Sequence, residues 1–192
     1  MKYGRMHESD AIKDLEEFAN VKVKKCGLFI DEEFNFLGAS PDGIIEEDND
    51  CIVEVKCPSS CAELFPNEAI MQRKFKFWKT DKMKSTITEV NKKHAYYYQV
   101  QGQLHISKKK YCLFALWTPK GIKVEKIERD FDFWNKEMVL KLKNFYLDCL
   151  LPEILDPRHT RSMIIRDPQD ISEAIKKKET EQQLLTNNEE SK

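Results

Sequence analysis

Three residues in this sequence are spaced so that they could hold a cation and move a proton. In Ile52-Val53-Glu54-Val55-Lys56 the composition reads as a β-strand, so Glu54 and Lys56 project from one face and Val53 and Val55 from the other. Asp42 lies in the turn Ser40-Pro41-Asp42-Gly43, at the end of the preceding extended segment. A hairpin between the two segments brings Asp42 beside Glu54. Two carboxylates held together repel, and they stay ionised most readily with a hard divalent cation between them. Mg2+ or Mn2+, held by Asp42, Glu54, a backbone carbonyl and water, fits that donor set. Taken alone, V-E-V-K reads as an ordinary ion pair. The SPDG turn together with E-x-K favours the metal site.

Other polar side chains fall near this nucleus. Glu8 shares a helical stripe with Ile12, Leu15 and Ala19 in a helix read from Arg5 to Asn20. Two readings fit it equally: a carboxylate with a buried partner or ligand, or an acid favoured at a helix start. Gln99 and Gln103 are four apart on one face of a helix read over His94 to Ile106, and either can orient a water, a phosphate or a metal ligand. Capping of backbone or a solvated face fits them as well. Gln101 points elsewhere and is the weaker candidate. His94 and His105 read as structural or exposed, and Tyr96, Tyr97 and Tyr98 as core residues before base-stacking ones.

The net charge of −1 points to no partner class, and its distribution matters more than its sum. From Gln72 to Lys93 there are eight cations (Arg73, Lys74, Lys76, Lys79, Lys82, Lys84, Lys92, Lys93) against Asp81 and Glu89. Arg73, Lys74, Lys76 and Lys79, with Gln103, are the candidate DNA contacts; a solvated mobile loop is the alternative for the basic stretch. The six cysteines are scattered and read as reduced thiols. Cys57 and Cys61 have C-x3-C spacing, but no second pair with ligand spacing follows. No signal peptide or membrane-spanning run is visible, and an intracellular protein of cytoplasm or nucleus is expected.

These residues need elements to place them. Val21 to Ile30 and Phe34 to Ala39 read as short strands, Ile44-Ile45 as extended, and Cys51 to Cys57 as a β-rich run. One or two short helices and a basic loop are expected between Cys61 and Glu89. Tyr111 to Thr118 and Gly121 to Ile127 read as a hairpin turning at Pro119-Lys120. Asp132 to Leu151 has strong helical periodicity ended by Pro152. From Arg166 the chain is polar, a frayed helix and flexible tail. The expected fold is α+β, a small, largely antiparallel sheet packed by helices.

GASPDGII followed by IVEVKCP resembles the PD-(D/E)xK nuclease core in its phage lambda exonuclease-like branch, the YqaJ-like viral recombinases. YGRMHESDA is similar to that family's entry helix, with Gly4 and Glu8 at its motif positions, and YYYQVQGQL to its glutamine helix, starting at Gln99. The likeness runs from about Tyr3 to Ile154, within a nuclease domain expected over 1–165 and followed by the tail 166–192. It implies an α/β/α-like core with a mixed sheet. Asp42, Glu54 and the Val55 carbonyl would bind Mg2+ or Mn2+, and Glu8 would act on a second ion or its waters. Lys56 would position and help deprotonate the attacking water, with Gln99 in support. It implies 5′-to-3′ digestion of duplex DNA from its ends, a single-strand annealing protein as partner, and a possible ring of three subunits.

The family normally carries a helical segment before the Gly…Glu motif that helps build the pocket for the DNA 5′ end. This chain starts almost on the motif and reads as a truncated member, so 5′-end recognition and ring assembly do not follow from the likeness. Alternatives to the exonuclease are a structure-specific endonuclease on the same core and a non-catalytic DNA-binding recombination module with a relic site.

Overall fold

The run Cys51–Lys56 is apolar at every position except Glu54 and Lys56, the pattern of a strand covered on both faces. In the computed structural model, which describes residues 2–81 and 83–190, that strand lies at the centre of the main sheet. The chain forms two compact units, 1–134 and 135–192.

In chain order the first unit holds α1 (Lys2–Ala19), β1 (Val23–Lys24), β2 (Phe29–Ile30), β3 (Gly38–Ala39), β4 (Gly43–Ile45) and β5 (Cys51–Lys56). After a 3-10 turn at Ser59–Cys61 come α2 (Pro66–Met71), β6 (Trp78–Asp81), β7 (Thr86–Val90), α3 (Ala95–Ile106), β8 (Tyr111–Thr118), β9 (Gly121–Glu128) and the single turn α4 (Phe131–Phe133). The five-stranded sheet has the order β1-β4-β5-β8-β9. Only β5 and β8 run parallel; the other pairs are antiparallel. The sheet is thus mixed and largely antiparallel, as expected.

Alternation along β5 and β8 builds two cores. Ile52, Cys112, Phe114 and Leu116 pack under Val100 and Leu104 of α3 with Ile70 and Phe77. Cys51, Val53, Val55, Ala115 and Trp117 pack against Ala11 and Leu15 of α1. Glu54 therefore faces α3, in a layer made mainly of apolar side chains.

Three sequence expectations shift. Val21 to Ile30 is not one strand: β1 pairs with β4 and β2 with β3, so the chain breaks between two partners. The basic loop contains a β6–β7 hairpin anchored by buried Phe75, Phe77 and Trp78. From Trp134 onward the helical pattern is cut by π-helical stretches, Trp134–Met138 and Tyr146–Leu150, around α5 (Val139–Phe145). Pro152 does not end the helix; it sits in the first turn of α6 (Leu151–Leu155). A π-turn just before it spares the hydrogen bond a proline cannot make. The polar end of the chain forms α7 (Gln169–Glu190), and Lys82 and 191–192 lie outside the described residues.

Candidate active site

Gly43 pairs with Val53, and the Asp42 N–H donates to the Val53 carbonyl (3.0 Å) one step beyond the last strand pair. The Asp42 carboxylate then accepts the Val55 N–H at 2.7 Å. Asp42 is thereby pinned where β5 ends. Glycine at 43 is required by close approach: a Cβ there would lie 2.5 Å from the Val23 side chain and 3.1 Å from the Lys24 carbonyl. The turn motif is set by β1 crowding against β4.

Glu54 is 2 % exposed. One oxygen accepts from Lys56 Nζ and from Gln99 Nε2 (2.7 Å), the other from Gln103 Nε2 (2.7 Å). A buried carboxylate without partners would be strongly destabilising, and here three donors meet it. Gln99 and Gln103 share the α3 face directed at β5. Gln103, a candidate DNA contact in the sequence, is buried and spends its amide on Glu54.

Asp42, Val55, Lys56 and Glu8 open together on a cleft of about 440 Å³, whose walls include Gly4, Ser59, Ser60 and Tyr96. Lys56 Nζ lies 4.9 Å from the Tyr96 ring centroid. The Asp42 carboxyl is pushed up to about 6, first by burial and then by the negative charge of Glu54, with Glu8 adding to it; the Val55 N–H and Lys56 oppose the shift. Cys57 also lines the cleft, where burial and then the charges of Asp42 and Glu8 push its thiol up to about 12. None of the six cysteines forms a disulfide.

Among the described residues no three His, Cys, Asp or Glu side chains converge as a ready-made metal cage. The donors on offer are the Asp42 and Glu54 carboxylates and the Val55 carbonyl, with Glu8 across the cleft. These are hard oxygens, and the crowded negative charge that lifts Asp42 is what a divalent cation relieves, so the set fits Mg2+ or Mn2+.

The remaining candidates sit apart. Arg73, Lys74 and Lys76 are exposed, and Lys79 pairs with Glu89 at 2.8 Å. Gln101 is fully buried and ties α3 to the end of β9, donating to the Glu128 carbonyl and accepting from Asp130 N–H. His94 caps α3, accepting from Tyr96 N–H. His105 is buried, stacked on Trp134 with centroids 4.7 Å apart. Sequence reasoning did not single out Ser59 and Ser60 on the cleft; their only signal is adjacency to Lys56. Tyr96, which the sequence presents first as a core residue, lines the cleft.

A five-stranded mixed sheet between two helices, with an Asp and a Glu-x-Lys where two strands end, places the chain among nuclease-like folds. An alkaline exonuclease (LHK-Exo) from Laribacter hongkongensis superimposes with a TM-score of 0.58 at 20% identity, covering 77% of this chain and 66% of that one. The same enzyme in complex with dAMP gives 0.54 at 20% identity, covering 71% and 61%. A phage-related exonuclease from Haemophilus somnus 129PT gives 0.48 at 16% identity, covering 70% and 64%. The chain thus spans about two thirds of the length of these exonucleases. Residues 1–110 match the YqaJ-like viral recombinase domain, and the chain belongs to that family. No curated protein sequence matches it. Among the described residues no helix is long and apolar enough to cross a membrane.

Proposed function

We propose that this protein is a divalent-metal-dependent deoxyribonuclease that digests linear duplex DNA from its ends, in recombination or the processing of viral or mobile DNA. The carrying observation is the shared opening of Asp42, Glu8, Val55 and Lys56 on one cleft, with Glu54 immediately behind. Asp42, Glu54 and the Val55 carbonyl would hold the ion, with Glu8 on the same cleft as a further carboxylate for it or its waters. The cation supplies Lewis acidity to a phosphoryl oxygen and lowers the pKa of water.

Lys56, held on Glu54 in the structure, would orient the attacking water through its ammonium and balance charge on the phosphate. Gln99 and Gln103 keep Glu54 aimed while this happens. Water attacks phosphorus in line and the bond to the 3′ oxygen breaks, leaving a 5′-phosphate and a 3′-hydroxyl. Family membership and the exonuclease fold support cleavage from ends.

The test is digestion of end-labelled linear duplex with Mg2+ or Mn2+, against EDTA and against a covalently closed circle. Loss of the linear duplex only, and only with metal, is expected. Lys56→Ala should be folded and slower by roughly 10²–10⁴-fold; full activity in that variant would sink the mechanism.

A further inference from the structure

We infer that the groove between the end of α2 and the β6–β7 hairpin is a track for the sugar-phosphate backbone of DNA outside the cleft. This rests on the nuclease reading for the identity of the strand, while the groove's affinity for DNA can be measured without it. The groove holds about 410 Å³ and is lined by Arg73, Lys76 and Lys79 over Phe75 and Trp78, with Asn91 beside them.

Arg73 stands in the left-handed region, φ +58°, directly after α2. Glycine is the usual residue there, because a Cβ is strained in that conformation. The backbone of the turn is held without the Arg73 side chain: its N–H donates to the Ile70 carbonyl, and the Lys74 and Phe75 N–H groups both donate to the Ala69 carbonyl. The Arg73 guanidinium is exposed and has no ion pair among the described residues. A strained position thus carries a cation with no ion pair among the described residues, and strained positions cluster at binding sites.

The neighbouring groups narrow the ligand. Phe75 and Trp78 are buried and packed against other rings, so they offer a floor and little free face for base stacking. Cations at Arg73 and Lys76 in the segment joining α2 to β6, and at Lys79 on β6, above such a floor suit a linear polyanion whose charges lie outside. The groove is also joined to the cleft. Phe75 stacks on Tyr96 (centroids 5.7 Å, 27°), and Tyr96 is a cleft wall, so groove floor and cleft wall belong to one aromatic stack. A strand leaving the cleft over Tyr96 meets Arg73 and Lys76 next.

Fluorescence anisotropy of labelled duplex DNA in EDTA, repeated over a salt series, tests the inference. Arg73→Gly is expected to weaken DNA binding roughly 5- to 10-fold and to lower the slope of log K against log salt by about one. Its Tm should be unchanged or higher by about 2–4 °C as strain is relieved. Arg73→Lys should retain most of the affinity, and Lys79→Ala should lose less than Lys76→Ala because Glu89 already neutralises Lys79 in part. Wild-type affinity and slope in Arg73→Gly, or a fall in its Tm, would overturn the track and leave the groove to another anionic partner or to a structural role. Weakened binding in Arg73→Gly alongside a wild type that cleaves no DNA would sink the nuclease reading and uphold the groove.

Discussion

Asp42 and Glu54 are neighbours across one strand pair, yet they live in opposite surroundings. On the α3 side the protein neutralises Glu54 itself, with two glutamine amides and the Lys56 ammonium in a nearly dry layer. At the cleft edge Asp42 receives one backbone N–H and faces Glu8, and its carboxyl is pushed up to about 6. The fold finishes the electrostatics of one carboxylate and leaves the other partly buried, with one backbone donor and two like charges nearby. Binding sites are often made this way, by withholding a partner that the interior would otherwise supply.

Removing the charge at the open end should break the contrast most visibly. Asp42→Asn is expected to lose roughly 10³-fold or more of metal-dependent cleavage, while becoming more stable in EDTA at neutral pH by on the order of 1–3 kcal/mol. The amide oxygen can still accept the Val55 N–H, and the repulsion from Glu54 and Glu8 is gone. The sign follows from the direction of the shift. A folded carboxyl near 6 binds protons more tightly than its unfolded value of 3.8, so wild-type stability falls as pH rises through that window. The gap between variant and wild type should therefore open between about pH 4 and 6 and stay constant above. Thermal unfolding against pH in EDTA measures it; a less stable Asp42→Asn at pH 8 would contradict the description of the cleft.

On the closed side the same operation should have the opposite sign. Gln103→Leu strips a donor from a buried carboxylate and should cost roughly 2–3 kcal/mol. Gln99→Ala, at an exposed helix position, should cost about 1 kcal/mol or less. Denaturant unfolding of both variants ranks them, and equal losses would show that Glu54 does not depend on burial for its sensitivity. Mn2+ titration calorimetry on Gln99→Ala adds a second reading: weaker binding with little loss of stability marks a residue that positions Glu54.

The smallest effect should come from far outside either region. His105 is pushed below the usual histidine range, mainly by burial and further by the charges of Arg129 and Lys108; the Gln101 carbonyl and Asp130 oppose this. The folded state binds its proton less readily than the unfolded chain, so stability contributed by the neutral ring is present above about pH 6.5 and is lost as pH falls. A shallower acid limb in the Tm–pH profile of His105→Leu, with unchanged metal binding, is the expected outcome.

Much of the site could be read from the chain alone. Alternation in V-E-V-K put Glu54 and Lys56 on one face, the SPDG turn put Asp42 beside them, and the four-residue spacing put Gln99 and Gln103 on one side of a helix. The sense in which that helix docks was not legible. Local periodicity says which residues share a face but not what the face meets, so Gln103 read as a DNA contact when it is a partner of Glu54. The hairpin was missed for a related reason. In K-F-K-F-W-K the lysines suggest a wet loop, while the rings between them fold inward only because Phe114 and Tyr96 are there to receive them.

The sequence by itself determined the strand alternation, the identity of the acidic pair and its lysine, and membership of the YqaJ-like family, because these depend on residue type and near spacing. Tertiary structure alone decided which carboxylate is satisfied and which is exposed to the cleft, since solvation and partner count depend on groups brought in from forty or more positions away, Gln99 and Gln103 against Glu54 above all.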